Sequence, residues 1–236
     1  MKSLLLFIIS SLFVLTVLAQ SGQPVVLVMG KVLNDRNMQA IGAKVIYEDL
    51  STGEDAGIAR SDPADGSYKI ILPRGKKYGY YALAEGFYSV TKNLDVSNLD
   101  KYTEVEDQNL YLAPVELDQV VRLNNVFFAK GSASITEESE PELQRLVQFL
   151  KINKKIEIEI SAHTDNSLSS DKSKKLTEDR AKSIMEYLTS NGIKERRLTA
   201  KGYGSDVPLG FNNSEEGRAL NNRLEFKVLS LEKTKK

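Results

Sequence analysis

Two short segments in the second half of the chain carry the residues best suited to chemistry. Ser161-Ala162-His163-Thr164-Asp165 closes an alternating stretch, and Leu176-Thr177-Glu178-Asp179-Arg180-Ala181 opens a helical one. Gly202-Tyr203-Gly204, Gly217-Arg218-Ala219 and Asn221-Asn222-Arg223 follow. Asp165 and Arg180 each fall near the end of a regular element. A fixed carboxylate accepts from an ammonium, and a guanidinium fork takes a carboxylate through two parallel hydrogen bonds. The pair therefore suits a small zwitterion that carries both groups on one carbon. Each charge-assisted bond contributes about 1.5–3 kcal/mol net. Arg180 precedes Ala181 of the apolar stripe, so it lies on that stripe's flank, in reach of the strand end that bears Asp165. Glu178 and Asp179 do not face it at helical spacing, which favours a ligand over a local ion pair.

Other chemistries are weaker. His163 is the only histidine and there is no cysteine. A metal site would have to be completed by carboxylates alone, so no metal or cofactor is expected. A Ser-His-Asp nucleophile would make His163 work with Asp165 two positions away, and no serine is placed for it. His163 is expected instead to orient the loop by hydrogen bonding. Asp165 with a nearby glutamate would make a hydrolase of paired carboxylates, kept as a rival. Lys172, Lys174 and Lys175 read as the wet side of a helix start, with attraction of anionic groups as the alternative. Asp62 and Asp65 beside Gly66 lack full calcium-loop spacing and read as a turn.

The elements that must position Asp165 and Arg180 alternate between strand and helix. Val120 to Phe128 reads as a strand with Asn124-Asn125 inside it. Ser139, with Pro141 in the first turn and Glu142 three residues on, reads as a capping box opening a helix. Leu143, Leu146, Val147 and Leu150 form its buried face. Ile156, Ile158 and Ile160 alternate with polar residues, as on a half-buried strand. A second helix is expected from about Ser173 to Ser190, stopped by Asn191-Gly192. A strand over Arg197–Tyr203, a short helix capped by Ser214, and a last strand with Leu224, Phe226 and Val228 inward complete the order β-α-β-α-β-α-β. That is an α+β layer.

The first half has another grammar. Short apolar runs at Val25–Leu33, Ala43–Tyr47, Ser67–Leu72, Tyr78–Ala84, Tyr88–Val96 and Asn109–Leu112 are separated by turn residues, which predicts an all-β sandwich. Tyr78, Tyr80, Tyr81 and Tyr88 are expected to alternate between core and surface, with a sugar-binding face as the alternative. Pro114 to Asp118 is the junction, short enough to hold the halves together.

At 236 residues the chain accommodates two modest domains. Met1-Lys2 followed by the apolar run Leu4 to Leu18 reads as a secretory signal over 1–19, cleaved after Ala19. The run is shorter than the ~20 residues a spanning helix needs. The domains are then 20–113 and 114–236, and Lys233–Lys236 is expected to fray. The formal charge of zero gives no basis for a nucleic-acid partner. The expectation is an exported protein of the periplasm without enzymatic activity.

Residues 158–226, with Leu123-Asn124-Asn125-Val126-Phe127-Phe128 before them, resemble the C-terminal domain of the outer membrane protein A family. The resemblance covers about 118–230. It implies an OmpA-like peptidoglycan-binding domain of a Gram-negative cell envelope, associated with the outer membrane or the wall. In that family the aspartate of the His-Thr-Asp segment and the arginine of the next helix hold diaminopimelate of the stem peptide. By position these are Asp165 and Arg180. His163, Thr164, Ser173, Arg218, Asn221 and Arg223 take supporting positions, with direct contact by Arg218, Asn221 and Arg223 left open. Ala162 and Leu168 stand where the family has glycines, Ser173 replaces a frequent asparagine, and Asn222 replaces the first of two arginines. The first half resembles the carboxypeptidase regulatory-like, transthyretin-like sandwiches, through Gly30-Lys31-Val32, Ala43-Lys44-Val45, Asp65-Gly66-Ser67-Tyr68, Leu72-Pro73-Arg74-Gly75 and Ala84-Glu85-Gly86-Phe87. That implies a spacer or a contact with other envelope proteins. The alternatives are a scaffold or adhesin with a degenerate site, and a cell-wall hydrolase.

Overall fold

The computed structural model describes residues 25–99 and 101–231. The expected leader (1–19) and the basic tail lie outside the described residues. Nine strands come first: β1 (Val25–Asn34), β2 (Lys44–Asp49), β3 (Asp55–Arg60), β4 (Ser67–Pro73), β5 (Lys77–Leu83), β6 (Phe87–Ser89), β7 (Lys92–Asp95), β8 (Thr103–Val105) and β9 (Leu110–Pro114). One sheet runs β4-β1-β9-β6 with β8 also on β1, and the other runs β3-β2-β5-β7. The two sheets bury one core that includes Val26, Val28, Tyr47, Leu72, Tyr78 and Leu112.

Tyrosine replaces much of the usual aliphatic filling there, because each hydroxyl finds a partner. Tyr68 donates to the Gln108 carbonyl at 2.6 Å, so Tyr47 must donate to Tyr68 at 2.9 Å. Tyr78 donates to the Pro73 carbonyl at 2.6 Å. Buried phenols are tolerated only when so satisfied. The expected alternation of tyrosines fails here. Tyr78 and Tyr80 lie on one face of β5 and Tyr81 on the other, and all three are buried, because the outer face of β5 is itself covered.

The run from Tyr88 to Val96 is not one strand. It breaks after Ser89, and the chain crosses from β6, paired to β9, to β7, paired to β5. Asp62 and Asp65 cap turns as expected, accepting from the Ala64 and Ser67 amides at 2.8 Å, with Gly66 at φ +76°.

The second unit comprises β10 (Val120–Arg122), α1 (Glu140–Ile152), β11 (Ile156–His163), α2 (Ser170–Ser190), β12 (Leu198–Gly204), α3 (Glu215–Asn221) and β13 (Arg223–Leu231). The sheet order is β10-β13-β11-β12, with β12 parallel to β11 and β13 antiparallel to it. This is the expected α+β order. Leu143, Leu146, Val147 and Leu150 of α1 and Ala181, Ile184 and Leu188 of α2 pack on Ile156, Ile158, Ile160, Leu224, Phe226 and Val228.

Three local expectations need correction. The strand over Val120–Phe128 ends at Arg122, because Asn124-Asn125 form a turn. The capping box at Ser139 is absent: its hydroxyl binds the Phe127 amide and carbonyl instead, and a 3-10 turn over Glu137–Ser139 precedes α1. Helix α2 starts at Ser170 rather than Ser173.

Gly202 sets how closely α2 approaches the sheet. A β-carbon there would sit well inside contact distance of the Glu178 backbone nitrogen and the Thr177 carbonyl carbon. Gly202→Ala should cost about 1–3 kcal/mol by overpacking. A chemical denaturation midpoint that stays at the wild-type value would refute that account.

The units touch through side chains as well as the junction. Tyr88 lies edge-on to Phe149 and Phe226, at 5.7 and 5.9 Å between centroids. Arg145 of α1 pairs with Glu48 of β2 at 3.2 Å and covers the Tyr81 ring. The Gly86 amide donates to Asn153 Oδ1 at 2.7 Å. Among the described residues no helix is long and apolar enough to cross a membrane.

Candidate functional site

The alternation of β11 carries its isoleucines inward and delivers Asp165 just beyond its C-terminal end. There Ser167 and Asn222 fix the carboxylate. The Ser167 amide donates to Oδ1 at 2.8 Å, and the Asn222 side chain donates to Oδ2 at 2.7 Å. Asn222 also accepts the Asp165 amide at 3.1 Å, so one carboxamide grips both ends of the residue. Partial burial opposes ionisation of Asp165. The bonds from Ser167 and Asn222 and the field of Arg218 outweigh it and hold the carboxyl below its usual range.

Arg180 projects from the flank of α2. Its Nε donates to the Ser132 carbonyl at 3.0 Å, and its guanidinium lies 4.8 Å from the centre of the Phe128 ring. Those contacts hold the plane, and the two terminal nitrogens have no acceptor among the described residues. Burial lowers the Arg180 pKa, but a guanidinium stays charged. Glu178 and Asp179 are occupied by Lys182 at 2.8 Å and Lys175 at 2.7 Å, so neither takes Arg180.

Arg180, Asn222, Arg223, Asn124 and Phe128 line a cleft of about 360 Å³. Asp165 is not in its wall: it stands behind Asn222, one hydrogen bond away. Asp165 and Arg180 form no ion pair with each other, so neither charge is spent on the other.

The flanking residues divide by what they touch. Asn221 is fully buried and binds the Leu209 and Gly210 amides, the Gly210 carbonyl and the Asn212 side chain. Arg218 donates to the Asn212 carbonyl at 3.0 Å. Arg223 is buried, pairs with Glu225 at 2.7 Å and donates to the Val207 carbonyl. All three hold the loop between β12 and α3. Gly217 is required there because a β-carbon would strike the Phe211 carbonyl. Ser214 caps α3 by accepting from the Gly217 amide at 3.0 Å, as expected.

His163 does not orient the loop by hydrogen bonding. Its ring stacks on Tyr203 at 4.9 Å, and both ring nitrogens lack a hydrogen-bond partner among the described residues. Glu225 is 3.5 Å from Nε2, but Arg223 already holds that carboxylate. Burial, then the nearby Arg223, pushes the imidazole pKa down to about 4 against the pull of Glu225 and Glu159. His163 is therefore neutral near pH 7. The hydroxyls of Thr164 and Ser173 are likewise buried without partners, although the Thr164 amide binds the Gly204 carbonyl at 2.9 Å.

Of the lysines near the helix start, Lys174 pairs with Asp206 at 3.2 Å and Lys175 with Asp179, as expected of a wet face. Among the described residues no three metal-ligating side chains converge.

The contacts of Asn222 with Asp165 and of Ser132 and Phe128 with Arg180 have no counterpart in the sequence reading. Asn222 had drawn notice only as a departure from the arginine of similar chains. Its pairing with a residue 57 positions earlier has no local signature.

The OmpA family matches residues 127–222. Outer membrane porin F of Pseudomonas fluorescens is 32% identical over 117 residues, covering 49% of this chain and 35% of that protein. The peptidoglycan-associated lipoprotein of Buchnera aphidicola is 28% identical over 107 residues, covering 45% of this chain and 62% of that protein. The chain thus spans less than two thirds of the length of either relative. The solved cell wall anchor of the T6SS from Pseudomonas aeruginosa is 31% identical, with a TM-score of 0.41 over 47% of this chain and 79% of that one. The segment that holds both Asp165 and Arg180 is an OmpA family C-terminal domain.

Proposed function

We propose that residues 114–236 bind peptidoglycan without covalent chemistry, gripping the free head group of diaminopimelate in the stem peptide. The observation that carries this reading is the state of Arg180. Its plane is fixed by Ser132 and Phe128, its terminal nitrogens are free, and it lines an open cleft whose wall residue Asn222 holds the ionised Asp165. On this reading the terminal nitrogens take the ligand carboxylate in the cleft, and its ammonium reaches past Asn222 to the unused lone pairs of Asp165, which lies outside the cleft wall. The Buchnera relative is a peptidoglycan-associated lipoprotein, which supports the same reading.

On this reading the protein is an exported envelope component that catalyses nothing. It is held near the outer membrane by many weak contacts acting together. Residues 20–113 form a carboxypeptidase regulatory-like sandwich that contacts another envelope protein.

The test is co-sedimentation with purified peptidoglycan. The wild-type protein should pellet with the wall. Arg180→Ala, which removes two charge-assisted bonds, should weaken binding about 100-fold or more, and Asp165→Asn should weaken it about tenfold or more. Far-UV circular dichroism should match wild type for both. A wild-type protein that stays in the supernatant, or variants that pellet equally well, would overturn the proposal. Release of soluble muropeptides would favour a hydrolase instead.

A further inference from the structure

A second feature lies between the two units, away from Asp165. A cleft of about 880 Å³ is walled on one side by the ends of β2, β3 and β5 and on the other by the last turn of α1. Lys44 and Arg60 stand on the first wall, and Lys151 and Lys154 on the second. Glu85 is the one acidic residue in the lining, and Gly42, Ala84 and Ile152 are among its small and apolar lining residues. None of the four cations has a carboxylate partner among the described residues, and they differ from the chain's other unpaired lysines in facing one another across a cleft.

The arrangement carries a cost. Lys44 and Arg60 are directly opposite in the antiparallel β2–β3 ladder, so they share a face, and like charges in that relation repel. Lys151 and Lys154 would be favourable at a helix C-terminus on their own account. The carbonyls of Leu150 and Asn153 there are already satisfied by Arg197, and the lysines face a second positive wall instead. Four unneutralised cations on two facing walls of a cleft large enough for a small ligand make a ready anion site.

We infer that this cleft binds a ligand bearing two or more phosphate groups, one engaged by each wall. Arg60 supplies a planar fork and the lysines supply mobile point charges. A soluble sugar phosphate and a phospholipid headgroup share this chemistry. Because both units contribute, occupancy couples to how firmly they are held together.

The probe is inorganic tripolyphosphate, titrated calorimetrically into the full-length protein at low salt and again at about 0.15 M salt, where screening weakens exposed contacts. The wild type should bind saturably and more weakly as salt rises. The double variant Arg60→Gln/Lys154→Gln should lose about tenfold or more in affinity, while Lys69→Gln on β4 should change nothing. Lys44→Gln, which removes the cross-strand repulsion, should raise the melting temperature without anion by about 1–3 °C. Sedimentation with cardiolipin/phosphatidylcholine vesicles, cardiolipin carrying two phosphates in one headgroup, then distinguishes the sources. Binding that the double variant loses marks a membrane headgroup, and binding of tripolyphosphate alone marks a soluble ligand. Absence of saturable binding, equal affinity in the double variant, or an equal loss in Lys69→Gln would overturn the inference. The double variant should still pellet with peptidoglycan, so failure here is distinguishable from failure at Arg180.

Discussion

Replacing Arg197 by methionine should destabilise the protein by about 2–4 kcal/mol, because it removes the donor shared by buried backbone carbonyls. Arg197 lies in the 3-10 turn Glu195–Arg197 and is 7% exposed. Its Nε donates to the Ile156 carbonyl at 2.9 Å, Nη1 to Leu150 at 3.0 Å and Nη2 to Asn153 at 2.7 Å. Leu150 lies in the last turn of α1 and Asn153 is its C-cap, where backbone acceptors have no helical partner. Ile156 opens β11. One guanidinium thus joins the end of the helix to the start of the strand that delivers Asp165. Burial, then the neighbouring Arg196, lowers its pKa while Glu157 opposes, yet the positive charge suits the negative end of the helix dipole. Methionine fills similar space but removes the donor from the Leu150 and Ile156 carbonyls, each worth about 1–3 kcal/mol when unpaired, while the Asn153 carbonyl keeps the Ile156 amide at 3.2 Å. Removing a buried charge gives part of that back. Urea denaturation measures the net. A loss below about 1 kcal/mol would show that water replaces the guanidinium at no cost.

The second large effect concerns pH. His163 is the single histidine in the sequence, and its folded pKa is about 4 against an ordinary 6.5. Near pH 7 it is mostly neutral whether folded or unfolded. Below 6.5 the unfolded chain takes up a proton that the folded chain refuses until about pH 4. Stability is therefore complete above 6.5 and falls as the pH drops through that window, by about 3 kcal/mol in all. Carboxylates with lowered pKa values, such as Asp49 and Asp95 at about 2, act at lower pH and leave the interval from 6.5 to 5 to the imidazole. His163→Phe keeps a ring to stack on Tyr203 and should flatten the stability profile over that interval. An unchanged slope in this variant would show that other groups set the acid sensitivity.

The second unit was the more legible because its signals are local. Ile156, Ile158 and Ile160 show period two, Leu143 to Leu150 show the helical period, and both patterns point to one buried layer. Asp165 and Arg180 stood out for the same reason, as charged residues at the edges of strong patterns.

What escaped depends on contacts distant in sequence. Strand β3 is short and contains Gly57, whose missing side chain makes room for Ile70 and Leu72 of β4. No alternation betrays such a strand. The change of sheet between Ser89 and Lys92 follows from pairing, not propensity. Alternation leaves Tyr81 on the face opposite Tyr78 and Tyr80, and nothing near it in sequence announces that Arg145 and α1 cover that face. Ser139 had all the marks of a cap, yet tertiary bonding to Phe127 took its hydroxyl.

The contacts of Tyr88 with Phe149 and Phe226, the Glu48–Arg145 pair and the Gly86–Asn153 bond have a mechanical consequence. They brace the junction after Pro114 on several sides, so the two units behave as a strut rather than beads on a string. A load applied to the front unit is therefore carried into the rear one through these contacts as well as through the chain.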